Sequence, residues 1–165
     1  MTEVRIHGRG GQGAVLASLV LARAAARRGS HVQSFPEFGV ERRGAPVLAF
    51  LRVSDKPIYI RSNIYSPDYI LILDPSMLAS AKPWEGLKPE GLLCLNFPKN
   101  RRLPDNVVAD AKNNGWLIAL ADGSAIAASL AIGNPSAPIV NTAMAGAFAK
   151  VSGLSDLSHL FEAVS

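Results

Sequence analysis

Val4-Arg5-Ile6-His7-Gly8-Arg9-Gly10-Gly11-Gln12-Gly13, followed by the unbroken helix-forming run Ala14 to Arg28, decides how this chain folds. Val4 to His7 alternates apolar and polar residues, as a strand does. Four glycines then fall within residues 8–13, where the chain must turn sharply. Gly8-Arg9-Gly10-Gly11-Gln12-Gly13 has the spacing G-x-G-x-x-G between a strand and a helix. In that context the backbone can approach an anion closely, with free N–H groups and the positive end of the helix dipole aimed at it. Gly29 stops the helix, and Arg27 and Arg28 complement its negative end.

Outward from this unit, His31 to Phe35 reads as a second strand, set parallel to the first by the helical crossover. A loop from Phe35 to Gly44 follows, broken by Pro36 and glycines. Val47 to Val53 is a strand, and Ile58 to Ile60 is expected to pair with it across Ser54-Asp55-Lys56-Pro57. Asp68 to Leu73 has the continuous apolar character of a central strand, ended by Asp74-Pro75. A short helix over Ser76 to Ala81 leads to another strand, Leu92 to Phe97. Residues 98–115, with Lys99, Arg101 and Arg102, read as irregular. Trp116 to Ala121 is the last strand. Asp122 and Ser124 can cap a helix over Ala125 to Ile132, and helices over 141–151 and 156–164 complete the chain. No repeat or linker divides it. The expectation is a single α/β domain over 1–165, Rossmann-like and three-layered, with a largely parallel sheet and helices on both faces.

Composition narrows the function. The chain has 165 residues, 48% hydrophobic and 18% charged, the balance of a packed domain. Its net charge of +4 comes from eleven arginines and six lysines against thirteen acids. Arginine's planar fork suits phosphates and carboxylates, whereas no basic run interleaved with aromatics points to nucleic acid. Cys94 stands alone inside Leu92-Leu93-Cys94-Leu95, so neither a disulfide nor a Cys-x-x-Cys metal pair can form. His7, His31 and His159 match no metal-ligand spacing. Ala14 to Ala22 is too short to cross a bilayer and no signal segment opens the chain, so a cytoplasmic protein without membrane contact is expected. Ser18, Ser124 and Ser129 lie in no Gly-x-Ser-x-Gly elbow.

The default ligand of such a glycine loop is NAD or FAD, which also wants an acid at the end of the second strand. Glu37, following Pro36 in a loop, matches that poorly. A stand-alone dinucleotide-dependent oxidoreductase therefore stays as one alternative, and a scaffold with a ligand-free βα turn as another.

His7-Gly8-Arg9-Gly10-Gly11-Gln12-Gly13 together with Phe38-Gly39-Val40-Glu41-Arg42-Arg43-Gly44 resembles the gamma subunit, or equivalent domain, of the 2-oxoacid:ferredoxin oxidoreductases. These enzymes act on pyruvate, ketoisovalerate, 2-oxoglutarate or indolepyruvate. The Asp68–Asp74 strand and the Gly133…Asn141-Thr142…Gly146 stretch fall in the same family order. The chain departs from the pattern at Ala45, where the family often has a glycine, and in its short C-terminal helix.

The resemblance implies one subunit of an enzyme that decarboxylates a 2-oxoacid to an acyl-CoA and passes electrons to ferredoxin. Thiamine diphosphate, magnesium and iron–sulfur clusters would sit on thiamine-binding and ferredoxin-like partner subunits. This chain would bind no cofactor stably alone but share a coenzyme A site, within a complex that can itself dimerise. The residues expected to form the coenzyme A phosphate site are Gly8, Arg9, Gly10, Gly11, Gln12 and Gly13, with Gln12 orienting the loop through its amide rather than touching the ligand, joined by Arg43, which matches the family's arginine. Glu41, Arg42 and Arg43 read as a charged clasp toward a partner or the active-site mouth. Asp74 reads as a helix cap, and the small residues after Asn141 as a close-packing face, toward a second subunit or equally toward the chain's own interior.

Overall fold

In a computed structural model, residues 1–37, 44–80, 82–134 and 137–164 are described. Strand β1 (Thr2–Arg9) leads through the glycine loop into helix α1 (Ala14–Arg27), as the opening stretch predicts. The helix stops where expected, with the Arg28 and Gly29 amides bonded back to the Ala25 and Ala26 carbonyls. Then come β2 (His31–Pro36), β3 (Pro46–Ser54), β4 (Tyr69–Ile72), α2 (Met77–Ser80) and β5 (Leu92–Asn96). The chain closes with α3 (Asp105–Asn114), β6 (Leu117–Ala121), α4 (Gly123–Ser129), a small hairpin β7 (Gly133–Asn134) and β8 (Ala137–Pro138), α5 (Asn141–Ser152) and α6 (Leu157–Val164).

The six-stranded sheet runs β2-β3-β1-β4-β5-β6. β1, β4, β5 and β6 pair in parallel, whereas β3 runs against both of its neighbours. The reason is chain length. Between Pro36 and Pro46 the chain is shorter than the dozen or so residues a crossover needs, so the two strands pair antiparallel. β2 thus keeps the direction expected of it but lies one strand away from β1. The sheet is mixed on that side.

Alternation through the central strands makes two cores. Ile6, Leu71 and Cys94 face one side and pack with Leu21 of α1, Phe148 of α5 and Leu160 of α6. Ile70, Ile72, Leu93 and Leu95 face the other and meet Leu78 of α2, Val107 of α3, and Trp84. Helices therefore cover both faces, as expected.

Three expectations are corrected. Ile58 to Ile60 forms no strand: the chain there is irregular, and the Arg52 guanidinium takes the Ile60 and Ser62 carbonyls. Residues 98–115 are not wholly irregular, since α3 starts straight after Pro104, whose carbonyl accepts from the Val107 and Val108 amides. The helix after β6 begins at Gly123 and ends at Ser129; Asp122 caps it by accepting the Ala125 amide, so Ser124 lies inside the helix.

Candidate functional site

The glycine loop sits at the carboxyl end of β1, where open α/β sheets place ligands. Its residues divide into braces and open backbone. Gly8 is a packing position: a Cβ there would stand 3.2 Å from the Ala14 Cβ and 3.5 Å from Leu73 Cδ1. Gln12 turns its side chain inward, accepting the Arg9 amide at 2.8 Å and donating to Asp74 Oδ2 at 2.9 Å. Gly10 continues the β1–β3 ladder, donating to the Ala45 carbonyl at 2.9 Å and accepting from the Gly44 amide at 3.2 Å. Ala45 is not among the residues with positive φ, so the alanine is tolerated in ordinary backbone.

Gly11 and Gly13 are the residues that need glycine. Gly11 has φ +98° with open space around its Cα, and Gly13 has φ +80° as the residue preceding α1. Beyond them the first amides of α1 have no carbonyl one turn back to bond, which leaves them for an anion. A hollow of about 260 Å³ lies there, walled by Gly10, Gly11, Gly13, Ala14, Val15 and Leu16.

Arg9 points elsewhere than a free phosphate ligand would. Its guanidinium pairs with Asp74 at 3.2 Å, reaches Ser76 Oγ at 3.3 and 3.2 Å, and donates to the Gly44 carbonyl at 3.1 Å. Asp74 accepts the Ser76 amide at 2.8 Å, as a cap does, and also holds Gln12 and Arg9. Asp74 is thereby the post around which the loop after β1 and the start of α2 are fastened. Lone acid-ended strands are common, so only the contact with Gln12 reveals this.

The two quoted motifs meet. Gly44 stands against Gly10 and Arg9, so the hairpin loop between β2 and β3 borders the glycine loop. Glu41, Arg42 and Arg43 lie outside the described residues, and with them the expected clasp. A third element arrives from far along the chain: the Asn141 side chain packs against Gly13, and α5 packs on α1 and on β4 to β6. Of the small residues of α5, Ala145 and Ala149 are buried in this packing, while Ala143, Gly146 and Ala147 are half-buried.

Glu37 stands one strand further out than the second strand of a dinucleotide fold would put it. With β3 between them, β2 is about 10 Å rather than about 5 Å from β1. The Cys94 thiol is buried at 1% exposure, and that burial pushes its pKa up to about 12. Such a thiol is an inert core group. Among the described residues no cluster of three His, Cys, Asp or Glu could hold a metal ion, so the residues present do not fit an iron–sulfur cluster or a magnesium site. No helix among them is long and apolar enough to cross a membrane.

One functional-looking pair escaped the sequence reading. Arg5 Nε donates to His7 Nε2 at 2.9 Å, on the face of β1 away from α1. Burial, and then the positive charge of Arg5, lower the His7 pKa to about 3. The period-two row Arg5, His7, Arg9 was the available signal.

Fold and loop together define an α/β domain whose first strand and helix are joined by a glycine-rich turn. Residues 3–165 match the pyruvate ferredoxin/flavodoxin oxidoreductase family, and the chain belongs to it. It is 46% identical over 164 residues to the pyruvate/ketoisovalerate oxidoreductases common subunit gamma of Thermococcus kodakarensis, covering 99% of this chain and 85% of that one. The crystal structure of pyruvate oxidoreductase subunit PORC from Thermotoga maritima superposes with a TM-score of 0.73 at 34% identity, over 96% of this chain and 80% of that one. The 2-oxoglutarate:ferredoxin oxidoreductase of Magnetococcus marinus shares the fold, with a TM-score of 0.76 at 22% identity over 99% of this chain and 26% of that one. The chain is accordingly an oxidoreductase subunit of the gamma type.

Proposed function

We propose that this chain works within a 2-oxoacid:ferredoxin oxidoreductase by binding its partner subunits and supplying the anion cradle of a coenzyme A site shared with them. Thiamine diphosphate and the iron–sulfur clusters, which carry the decarboxylation and electron transfer, belong to those partners in this reading. The whole of 1–165 acts as one gamma-type unit.

The observation that carries the cradle is the open space over Gly11, beside the unbonded first turn of α1. Gly11, Gly13 and the α1 amides orient a phosphate there through backbone N–H donors. Arg9 is held by Asp74 and adds positive charge at the border of the cradle rather than a free fork. Gly8, Gly10 and Gln12 shape the loop, and Arg43 remains assigned by resemblance. The Magnetococcus marinus structure was determined with coenzyme A and succinyl-CoA bound, which agrees with such a site in a protein of the same fold. A dinucleotide enzyme is disfavoured by the displaced Glu37.

The test is a coenzyme A titration of the assembled enzyme carrying Gly11→Ala. The added methyl enters open space in the mouth of the cradle, at a φ that also strains it. Affinity should fall by about tenfold or more, equal to about 1.4 kcal/mol. Unchanged affinity would end the assignment, leaving a scaffold with an empty turn.

A further inference from the structure

Position 12 carries a side-chain amide inside a loop of glycines, and its surroundings explain that choice. Arg9 to Gln12 is a tight turn, closed by the Gln12 backbone amide donating to the Arg9 carbonyl at 3.0 Å. Gly11, with φ +98°, takes the third position, which a type II turn gives to glycine. The Gln12 side chain closes the same turn a second time, its Oε1 accepting the Arg9 amide at 2.8 Å. The way Gly11 faces its open space therefore depends on both closures.

The far end of that side chain is held by the loop after β4. Nε2 donates to Asp74 Oδ2 at 2.9 Å. Arg9 Nε approaches the same oxygen at 3.2 Å, and Asp74 Oδ1 accepts the Ser76 amide at 2.8 Å. The Arg9 backbone N–H can only donate, and the ionised Asp74 can only accept. Position 12 thus needs an acceptor facing Arg9 and a donor facing Asp74. Among side chains of this length glutamine supplies both, whereas glutamate would set a second carboxylate against Asp74. The Asp74 side chain is 13% exposed, so water offsets little of such a mismatch. The tie also crosses a parting of the chain. α1 leaves toward the core of Leu71 and α2 toward the core of Ile70 and Ile72, on opposite faces of the sheet. Open α/β sheets bind ligands at such a point.

We propose that Asp74 is a positioning residue for coenzyme A: acting through Gln12, it fixes the turn that presents Gly11 and the first amides of α1 to the phosphate. The inference rests on the anion-cradle reading. It adds that affinity is set by a donor–acceptor match between residues 62 positions apart, one of which does not touch the ligand.

The test measures the coenzyme A KM and kcat of the enzyme assembled with its partner subunits. Gln12→Glu opposes two acceptors. Asp74→Asn opposes two donors, because its oxygen stays with the Ser76 amide. Each single variant should raise KM by about tenfold or more, while kcat at saturating coenzyme A stays within about twofold. Combining the two exchanges the polarities and keeps the overall charge. The new carboxylate accepts from the Arg9 amide and from the new side-chain amide, and KM should return to within about threefold of the wild type. Single variants with wild-type KM, or a double variant no better than the weaker single, would overturn the proposal. So would a lowered kcat at unchanged KM, the result of a merely structural loss of active enzyme. Should Gln12→Glu fail to assemble, Asp74→Asn and the double variant decide. Gly11→Ala separates the two readings. If it keeps full affinity, the cradle fails and this proposal with it; if it loses affinity while the single variants keep theirs, the positioning role alone fails.

Discussion

Asn141, at the start of α5, lies so close to Gly13 that a methyl group on the glycine would stand 2.5 Å from its Nδ2. The contact joins residues 128 positions apart and locks the helix after the glycine loop to the helix that closes the core. Gly13 is therefore fixed twice, by φ +80° and by the lack of room for a Cβ. Gly13→Ala should cost about 3 kcal/mol, strain and clash together, or about 6–12 °C in Tm. Asn141→Ala alone should cost about 1 kcal/mol, since the Asn141 Oδ1 holds only the next amide at 2.8 Å. The double variant should be better than the sum by about 1 kcal/mol or more, because the clashing amide is gone. Strict additivity in a thermal-unfolding cycle would show that the two residues do not meet.

Asp74 gathers three partners from two loops: the Ser76 amide, Gln12 Nε2 and the Arg9 guanidinium. The carboxylate side chain is 13% exposed and the arginine 31%, so solvent screens part of the pairing. Asp74→Ala should cost about 2 kcal/mol, and Asp74→Asn about 1 kcal/mol, since the amide keeps the cap but loses the charge. The urea midpoints of the two variants give the ordering directly. Equal midpoints would mean that Arg9 gains nothing from the negative charge.

The parts of this molecule legible in its sequence are those governed by neighbours along the chain. The strand–glycine–helix opening, the apolar runs of β4 and β5, and the Asp122 cap all depend on residues a few positions apart. The misjudged parts depend on distant partners. Ile58 to Ile60 looks like a strand, but a buried arginine in β3 takes its carbonyl, and no periodicity announces that. The order β2-β3-β1 follows from the short connection between β2 and β3, which was visible but not used. At the site, the spacing located the loop correctly. It did not reveal which groups Gln12 and Arg9 engage, because Asp74 and Ser76 come from 62 or more positions away.

Cys94 tests the density of the first core. It is 1% exposed on β5, with its thiol raised to about 12 by burial. A thiol reagent should leave the native chain unmodified at neutral pH and label it stoichiometrically once guanidinium unfolds it. Cys94→Ala should cost about 1 kcal/mol and Cys94→Ser about 2 kcal/mol, since the hydroxyl enters an apolar site needing a partner. Rapid native labelling would show that this part of the sheet opens readily.

His7 makes stability depend on pH in a defined direction. In the unfolded chain it protonates near 6.5; in the folded protein burial and Arg5 lower that to about 3. Between those values the unfolded state binds the extra proton, so stability rises with pH and is lost as pH falls below 6.5. The slope from this one group approaches about 1.4 kcal/mol per pH unit near pH 5. Carboxylates elsewhere add their own dependence, so the informative quantity is the difference between the wild type and His7→Gln. A glutamine oxygen can still accept from Arg5 but does not titrate. Urea unfolding at pH 7 and pH 5 should show the wild type losing more stability than the variant, by about 1–2 kcal/mol. Parallel losses in the two proteins would mean that His7 takes up its proton in the folded state, with Arg5 displaced from its ring.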